Sequence, residues 1–153
     1  MQPLRAVLEG AALRLKAAGI AEPRREAGRL WADLQGHSRA EVWPLRDDAV
    51  DPPLRARYEA AVLRLAAGEP IQYVTGIAGF RRLTLGSDRR ALIPRPETEG
   101  LVELVLARVS HGRIADIGTG SGCIALSLAD EGEFDLVVGV DRSPAALALA
   151  REN

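Results

Sequence analysis

The 153-residue sequence predicts an α/β chain in which a small N-terminal helical bundle and a hairpin linker precede the first βαβα part of a doubly wound parallel sheet. Three observations carry that expectation. Apolar residues recur at helical spacing through the first part of the chain. Short strand-like runs punctuated by Gly76, Gly79 and Gly86 follow. From Arg113 the rhythm becomes strand, glycine-rich loop, helix, strand, helix.

In Pro3 to Ala18, Leu4, Val7, Leu8, Ala11, Ala12 and Leu15 share one helical face. Glu22-Pro23 opens a second helix carrying Ala27, Leu30, Trp31 and Leu34, and Gly36 ends it as a residue tolerant of left-handed backbone. Ser38 and Glu41 have capping-box spacing, which predicts a short third helix. Asp51-Pro52 reads as an N-cap with proline at the first helical position. Leu54, Tyr58, Ala61, Val62 and Leu65 continue that fourth helix, and Gly68 follows. The domains expected are therefore 1–68 (helical), 69–96 (hairpin linker) and 97–153 (the start of the sheet domain). Within the linker, Ile71 to Thr75, Ala78 to Leu85 and Arg89 to Ile93 are the expected short strands. A helix is predicted from Glu97 to Val109, with Glu97 and Glu99 favourably placed in its first turn. Ile114 to Ile117 is strand-like, Gly118 to Gly122 a loop and Ser121 to Ala129 a helix. Phe134 to Val140 is a near-continuous apolar run, the pattern of a parallel strand covered on both faces. Ser143-Pro144 opens the last helix.

Composition narrows the functional classes. The 20 Lys+Arg nearly balance 21 Asp+Glu, so no large basic excess argues for direct nucleic-acid binding. With one cysteine, Cys123, and only His37 and His111 besides, neither a disulfide nor a metal site is expected. The first ten residues carry Arg5 and Glu9 and no apolar signal region, and no run approaches the ~20 apolar residues of a membrane span. The expectation is a soluble cytoplasmic protein.

The strongest chemical signal is Asp116-Ile117-Gly118-Thr119-Gly120-Ser121-Gly122. Glycines after a first strand let the backbone turn sharply and approach a ligand closely. Asp141 ends the second strand, 19 residues beyond Gly122, where a carboxylate can accept hydrogen bonds from both ribose hydroxyls. A dinucleotide fingerprint reads G-x-G-x-x-G and faces a pyrophosphate. Here the order is G-x-G-x-G, and acidic Asp116 is poorly placed for a pyrophosphate but suits a cofactor carrying an ammonium and a sulfonium. The motif favours S-adenosylmethionine over NAD. The competing reading, a tight strand-to-helix turn with no ligand, would lead if the glycines stood alone.

Further motifs occur in order: Glu69-Pro70-Ile71-Gln72-Tyr73-Val74-Thr75-Gly76, Phe80, Leu92-Ile93-Pro94-Arg95-Pro96-Glu97-Thr98-Glu99, the glycine loop, and Val140-Asp141-Arg142-Ser143. As an ordered set they resemble the release-factor glutamine methyltransferase family, also called PrmC or HemK. The resemblance runs from about Glu69 to Asn153, and the helical first part agrees in size and type. It implies a Rossmann-like S-adenosylmethionine-dependent methyltransferase sheet behind a helical, release-factor-binding domain. It implies transfer of a methyl group to the side-chain amide nitrogen (N5) of the Gly-Gly-Gln glutamine of peptide-chain release factors, in translation termination. By the same resemblance, Asp116, Gly118, Thr119, Gly120, Ser121 and Gly122 lie along the methionine part of the cofactor, Asp141 holds the ribose, and the Arg95 to Glu99 turn lies near the pocket.

The family pattern also contains Asn-Pro-Pro-Tyr, which this sequence lacks. An amide nitrogen is a poor nucleophile, and an Asn side chain and a Pro carbonyl accepting its N–H bonds would fix it in line with the methyl group, an effect worth orders of magnitude. No catalytic residue is therefore assigned within 1–153. The sheet is expected to be incomplete, and the chain to be a fragment that is inactive by itself.

Other features take plainer readings. Cys123 reads as a small buried residue. His37 and His111 read as solvated, and Trp31 and Trp43 as core. Arg24-Arg25 and Arg81-Arg82 read as solvated surface. Glu97 and Glu99 do not face each other, so they form no acid–base pair. The rival functions are an adenine-N6 methyltransferase of nucleic acid, a non-catalytic release-factor-binding module, and an NAD-dependent enzyme.

Overall fold

The computed structural model describes residues 2–42 and 44–153. The chain divides into two compact units, Met1–Thr75 and Gly76–Asn153.

The first unit is helical: α1 (Leu4–Ala17), α2 (Pro23–Gln35), α3 (Arg39–Val42), a 3-10 turn (Pro44–Asp47), α4 (Pro52–Ala66) and α5 (Ile71–Thr75). The apolar faces of α1, α2 and α4 meet in one core containing Leu4, Leu15, Leu30, Trp31, Tyr58 and Val62. At its centre the Trp31 and Tyr58 rings meet edge to face, centroids 5.1 Å apart, a favoured aromatic geometry. The Tyr58 hydroxyl donates to the Ala27 carbonyl at 2.9 Å, which satisfies the one polar atom this ring carries into the core. Gly36, at φ 66°, ends α2 as its spacing predicts. The Ser38 N–H donates to Glu41 Oε2 at 2.6 Å, the backward arm of a capping box. Trp43 lies outside the described residues.

Ile71–Thr75 is a helical turn, not the strand expected of it. Ile71 and Val74, three apart, both enter the core of the first unit. The Arg64 guanidinium caps the turn, donating to the carbonyls of Tyr73 at 3.0 Å and Val74 at 3.3 Å. Glu69 holds that guanidinium from the other side, 2.7 Å from Nε. A capping group supplied by another helix leaves no trace in local alternation.

The second unit opens with an antiparallel hairpin, β1 (Ile77–Phe80) and β2 (Leu83–Gly86). Arg89 to Ile93 forms turns instead of the expected strand. Asp88 Oδ1 accepts the Arg90 backbone N–H at 2.9 Å, taking a donor that a ladder would need. Then come α6 (Pro96–Leu106), β3 (Arg113–Ile117), α7 (Cys123–Glu131), β4 (Leu136–Val140) and α8 (Pro144–Glu152). β3 and β4 pair in parallel, from Arg113 opposite Leu136 to Ile117 opposite Val140. Ser143 caps α8, its Oγ accepting the Ala146 N–H at 3.2 Å. Phe80, Leu85, Val102 and Leu128 form the core of this unit.

β4 is not covered on both faces as its apolar run predicts: Val140 is 44% exposed, and Ile117 on its neighbour is 78% exposed. Among the described residues this sheet has two strands, so a sequence suited to a sheet interior stands at an edge. Arg81 departs from the solvated reading as well. It sits at φ 50° in the hairpin turn, and its guanidinium meets Glu131 at the end of α7, Nε to Oε1 2.6 Å and Nη2 to Oε2 2.7 Å. Its backbone N–H donates to Glu99 at 3.0 Å, so Glu99 fastens α6 to the hairpin. No helix among the described residues is long and apolar enough to cross a membrane.

Candidate functional site

Parallel pairing of β3 and β4 carries their C-terminal ends to one edge, where the glycine loop and Asp141 meet. The loop is folded onto the end of β4: the N–H groups of Gly118 and Thr119 both donate to the Val140 carbonyl, at 2.6 and 2.9 Å. Gly118, Gly120 and Gly122 adopt φ of 85°, 56° and 84°, a left-handed region that side chains rarely enter. Nothing lies within 4 Å of a Cβ built on Gly118, so its backbone is open to close approach. On Gly122 the same atom would lie 3.1 Å from Leu126 and 3.2 Å from Ala150, so here glycine admits the close approach of Ala150 of α8 to the start of α7. α7 accordingly starts at Cys123, two residues later than the Ser121 expected of it.

Asp141 Oδ2 accepts the Gly120 N–H and Oδ1 accepts the Ser143 N–H, each at 2.9 Å. These bonds, from Ser143 first and then Gly120, hold the Asp141 carboxyl below the usual range of its type. The Thr119 hydroxyl donates to Asp116 Oδ2 at 2.7 Å. Seven residues singled out from sequence, Asp116, Gly118, Thr119, Gly120, Ser121, Gly122 and Asp141, thus form one continuous loop-and-strand-end constellation joined by these hydrogen bonds. It combines two carboxylates with exposed backbone, an acceptor set suited to a ligand with hydroxyls and positive charge. Ser121 Oγ is buried without a hydrogen-bond partner of ordinary geometry, beside the Cys123 thiol. Burial pushes that thiol up, which disfavours a thiolate nucleophile. His37 and His111 are both exposed.

Three supports were not singled out from sequence. Gly139 on β4 has ordinary backbone geometry, but a Cβ there would lie 2.9 Å from Thr119 Oγ1; the missing side chain makes room for Thr119 to reach Asp116. Asn153 braces the loop from α8: its Nδ2 donates to the Ser121 carbonyl at 2.9 Å, while its Oδ1 accepts the Gly86 N–H at 2.7 Å. Ala91 runs beside the loop, 4.0 Å from a Cβ built on Gly120. Strand alternation flags an interior glycine only weakly, and periodicity is silent on Asn153 and Ala91.

Comparison with known proteins agrees in both units. Residues 6–76 match the PrmC N-terminal domain and residues 96–153 the methyltransferase small domain. The chain is 41% identical over 146 residues to a release factor glutamine methyltransferase of Cereibacter sphaeroides, covering 95% of this chain and 52% of the relative. It is 39% identical over 153 residues to that of Deinococcus radiodurans, covering 98% and 55%. It is 39% identical over 133 residues to that of Escherichia coli, covering 86% and 48%. The chain spans about half the length of these curated relatives.

Proposed function

We propose, for a chain that belongs to the release factor glutamine methyltransferase family, that it supplies the substrate-holding helical domain and the cofactor-binding edge of an enzyme that methylates a release-factor glutamine. The methyl donor is S-adenosylmethionine, which when bound supplies a sulfonium methyl group. The acceptor is the side-chain amide nitrogen (N5) of the glutamine in a Gly-Gly-Gln sequence. The setting is translation termination in the cytoplasm.

The observation that carries this reading is the meeting of Asp141 with the glycine loop at one edge of a parallel pair. Asp141 would receive the ribose hydroxyls: a carboxylate offers about four lone-pair positions, so its two backbone bonds leave capacity. Asp116, fixed by Thr119, would face the ammonium or sulfonium charge. The open backbone at Gly118 would lie against the methionine part. Arg95 to Glu99 would flank this site. No residue of the described site is assigned the task of orienting the amide nitrogen, so these 153 residues are expected to bind cofactor without turning over.

The test uses the product of the complete coding sequence with S-adenosylmethionine labelled in its methyl group and an intact release factor. Label on the glutamine of Gly-Gly-Gln, absent when that residue is replaced by alanine, supports the reading. Label on DNA or RNA adenine and none on the release factor would assign the chain to the nucleic-acid alternative.

A further inference from the structure

The helical unit carries a groove that the cofactor reading does not use. A cavity of about 440 Å³ opens among Arg5, Arg24, Arg25, Arg29 and Arg46, over a floor that includes Leu8 and Val42. A second, of about 820 Å³, shares Glu9, Arg24 and Arg25 with it and adds Lys16, Glu22 and the exposed Leu13. The whole chain has a formal charge of −1, so this gathering of guanidinium groups is local. Arg5 pairs with Asp47 at 2.9 Å, Arg25 with Glu22 at 2.5 Å and Arg29 with Asp33 at 3.5 Å. Ion pairs on a solvated surface hold their partners weakly. A guanidinium also presents a fork of donors that can take a second carboxylate beside the first.

We propose that this groove docks an acidic peptide segment of the protein substrate, its carboxylates held by Arg5, Arg24, Arg25 and Arg29 and an apolar side chain seated on Leu8 and Val42. The proposal deepens the assignment of the helical unit to substrate holding and rests on that reading. Charge complementarity selects an acidic occupant, and the rest of the lining selects peptide over nucleic acid. Glu9 lines both cavities, where it can accept a peptide N–H, a donor that a phosphodiester backbone does not carry. Among the described residues no aromatic side chain lines either cavity to stack a base.

The experiment titrates the 153-residue chain into a fluorescein-labelled peptide alternating glutamate and leucine, with a lysine–leucine peptide and a single-stranded oligonucleotide as the other arms. Saturable binding of the acidic peptide is expected, weakened by added salt. An intact release factor is expected to displace it. The double variant Arg24→Glu/Arg25→Glu should weaken binding about tenfold or more, with an unchanged circular dichroism spectrum. Arg57→Glu, exposed but outside both cavities, should leave binding unchanged. Equal weakening by Arg57→Glu, tighter binding of the oligonucleotide, or a release factor that binds without displacing the peptide would each overturn the proposal. Loss of S-adenosylmethionine binding with peptide displacement intact would count against the cofactor reading alone.

Discussion

Gly120 donates its backbone N–H to Asp141 Oδ2 at 2.9 Å, across the ends of two paired strands. The bond ties the centre of the glycine loop to the carboxylate proposed to hold the ribose, so loop shape and the proposed recognition would depend on one ionised group. Together with the Ser143 N–H it lowers the Asp141 carboxyl from its ordinary 3.8. A carboxyl lowered on folding contributes stability that is fully present above its unfolded value and is lost as pH falls through the lower folded one. The affinity for S-adenosylmethionine should therefore stay flat from neutral pH down to about pH 5 as far as Asp141 is concerned. An NMR titration following the Asp141 carboxyl carbon checks this. A midpoint above 3.8 would contradict it.

Gly139 and Thr119 give a second prediction. Gly139→Ala places a Cβ 2.9 Å from Thr119 Oγ1 and must displace it from Asp116. Cofactor affinity should fall by about tenfold, the worth of one hydrogen bond to a charged group. Thr119→Val should cost about as much, and the double variant little more than either, because both remove the same bond. Calorimetric titration of the three variants reads the effect, and full additivity would show that Gly139 acts elsewhere.

Tyr58→Phe should destabilise the helical unit by about 1 kcal/mol, the net worth of the buried hydrogen bond that its hydroxyl adds to the helical bond already made by the Ala27 carbonyl. Urea denaturation monitored by circular dichroism measures it. No change in midpoint would mean that the hydroxyl's hydrogen bond adds nothing net to the stability of this unit.

Arg81 and Glu131 fasten the hairpin turn to the end of α7 through a two-pronged ion pair. Glu131→Ala and Arg81→Ala should each lower the melting temperature of the second unit by a few degrees. The double variant should fall short of the sum, as expected of groups in contact. Thermal unfolding of the four proteins in the cycle tests this.

Much of the fold was legible because its signals are local. The apolar spacing of Leu4 to Leu15, the glycine at position 36, and Ser143 before Pro144 each announce a helix or its end within a few residues. The glycine loop and Asp141 were legible as a pair because a βαβ unit fixes where two strand ends meet. The failures share a cause as well. Ile71–Thr75 looks like a strand until Arg64 arrives to cap it, and Arg81 looks solvated until Glu131 meets it. Asn153 bonds to Gly86 and Ser121 across long stretches of sequence. Side-chain bonds made at a distance leave no period to read. β4 reads as an interior strand because its apolar run suits one, though Val140 is 44% exposed.

Equilibrium binding of S-adenosylmethionine to the 153-residue chain is the decisive experiment for the site proposed at the glycine loop and Asp141. Saturable binding of S-adenosylmethionine and none of NAD is expected, weakened at least about tenfold by Asp141→Ala, which removes the proposed charged acceptor of the ribose hydroxyls. Absence of binding by a chain that circular dichroism shows to be folded, or binding indifferent to Asp141→Ala, would contradict it.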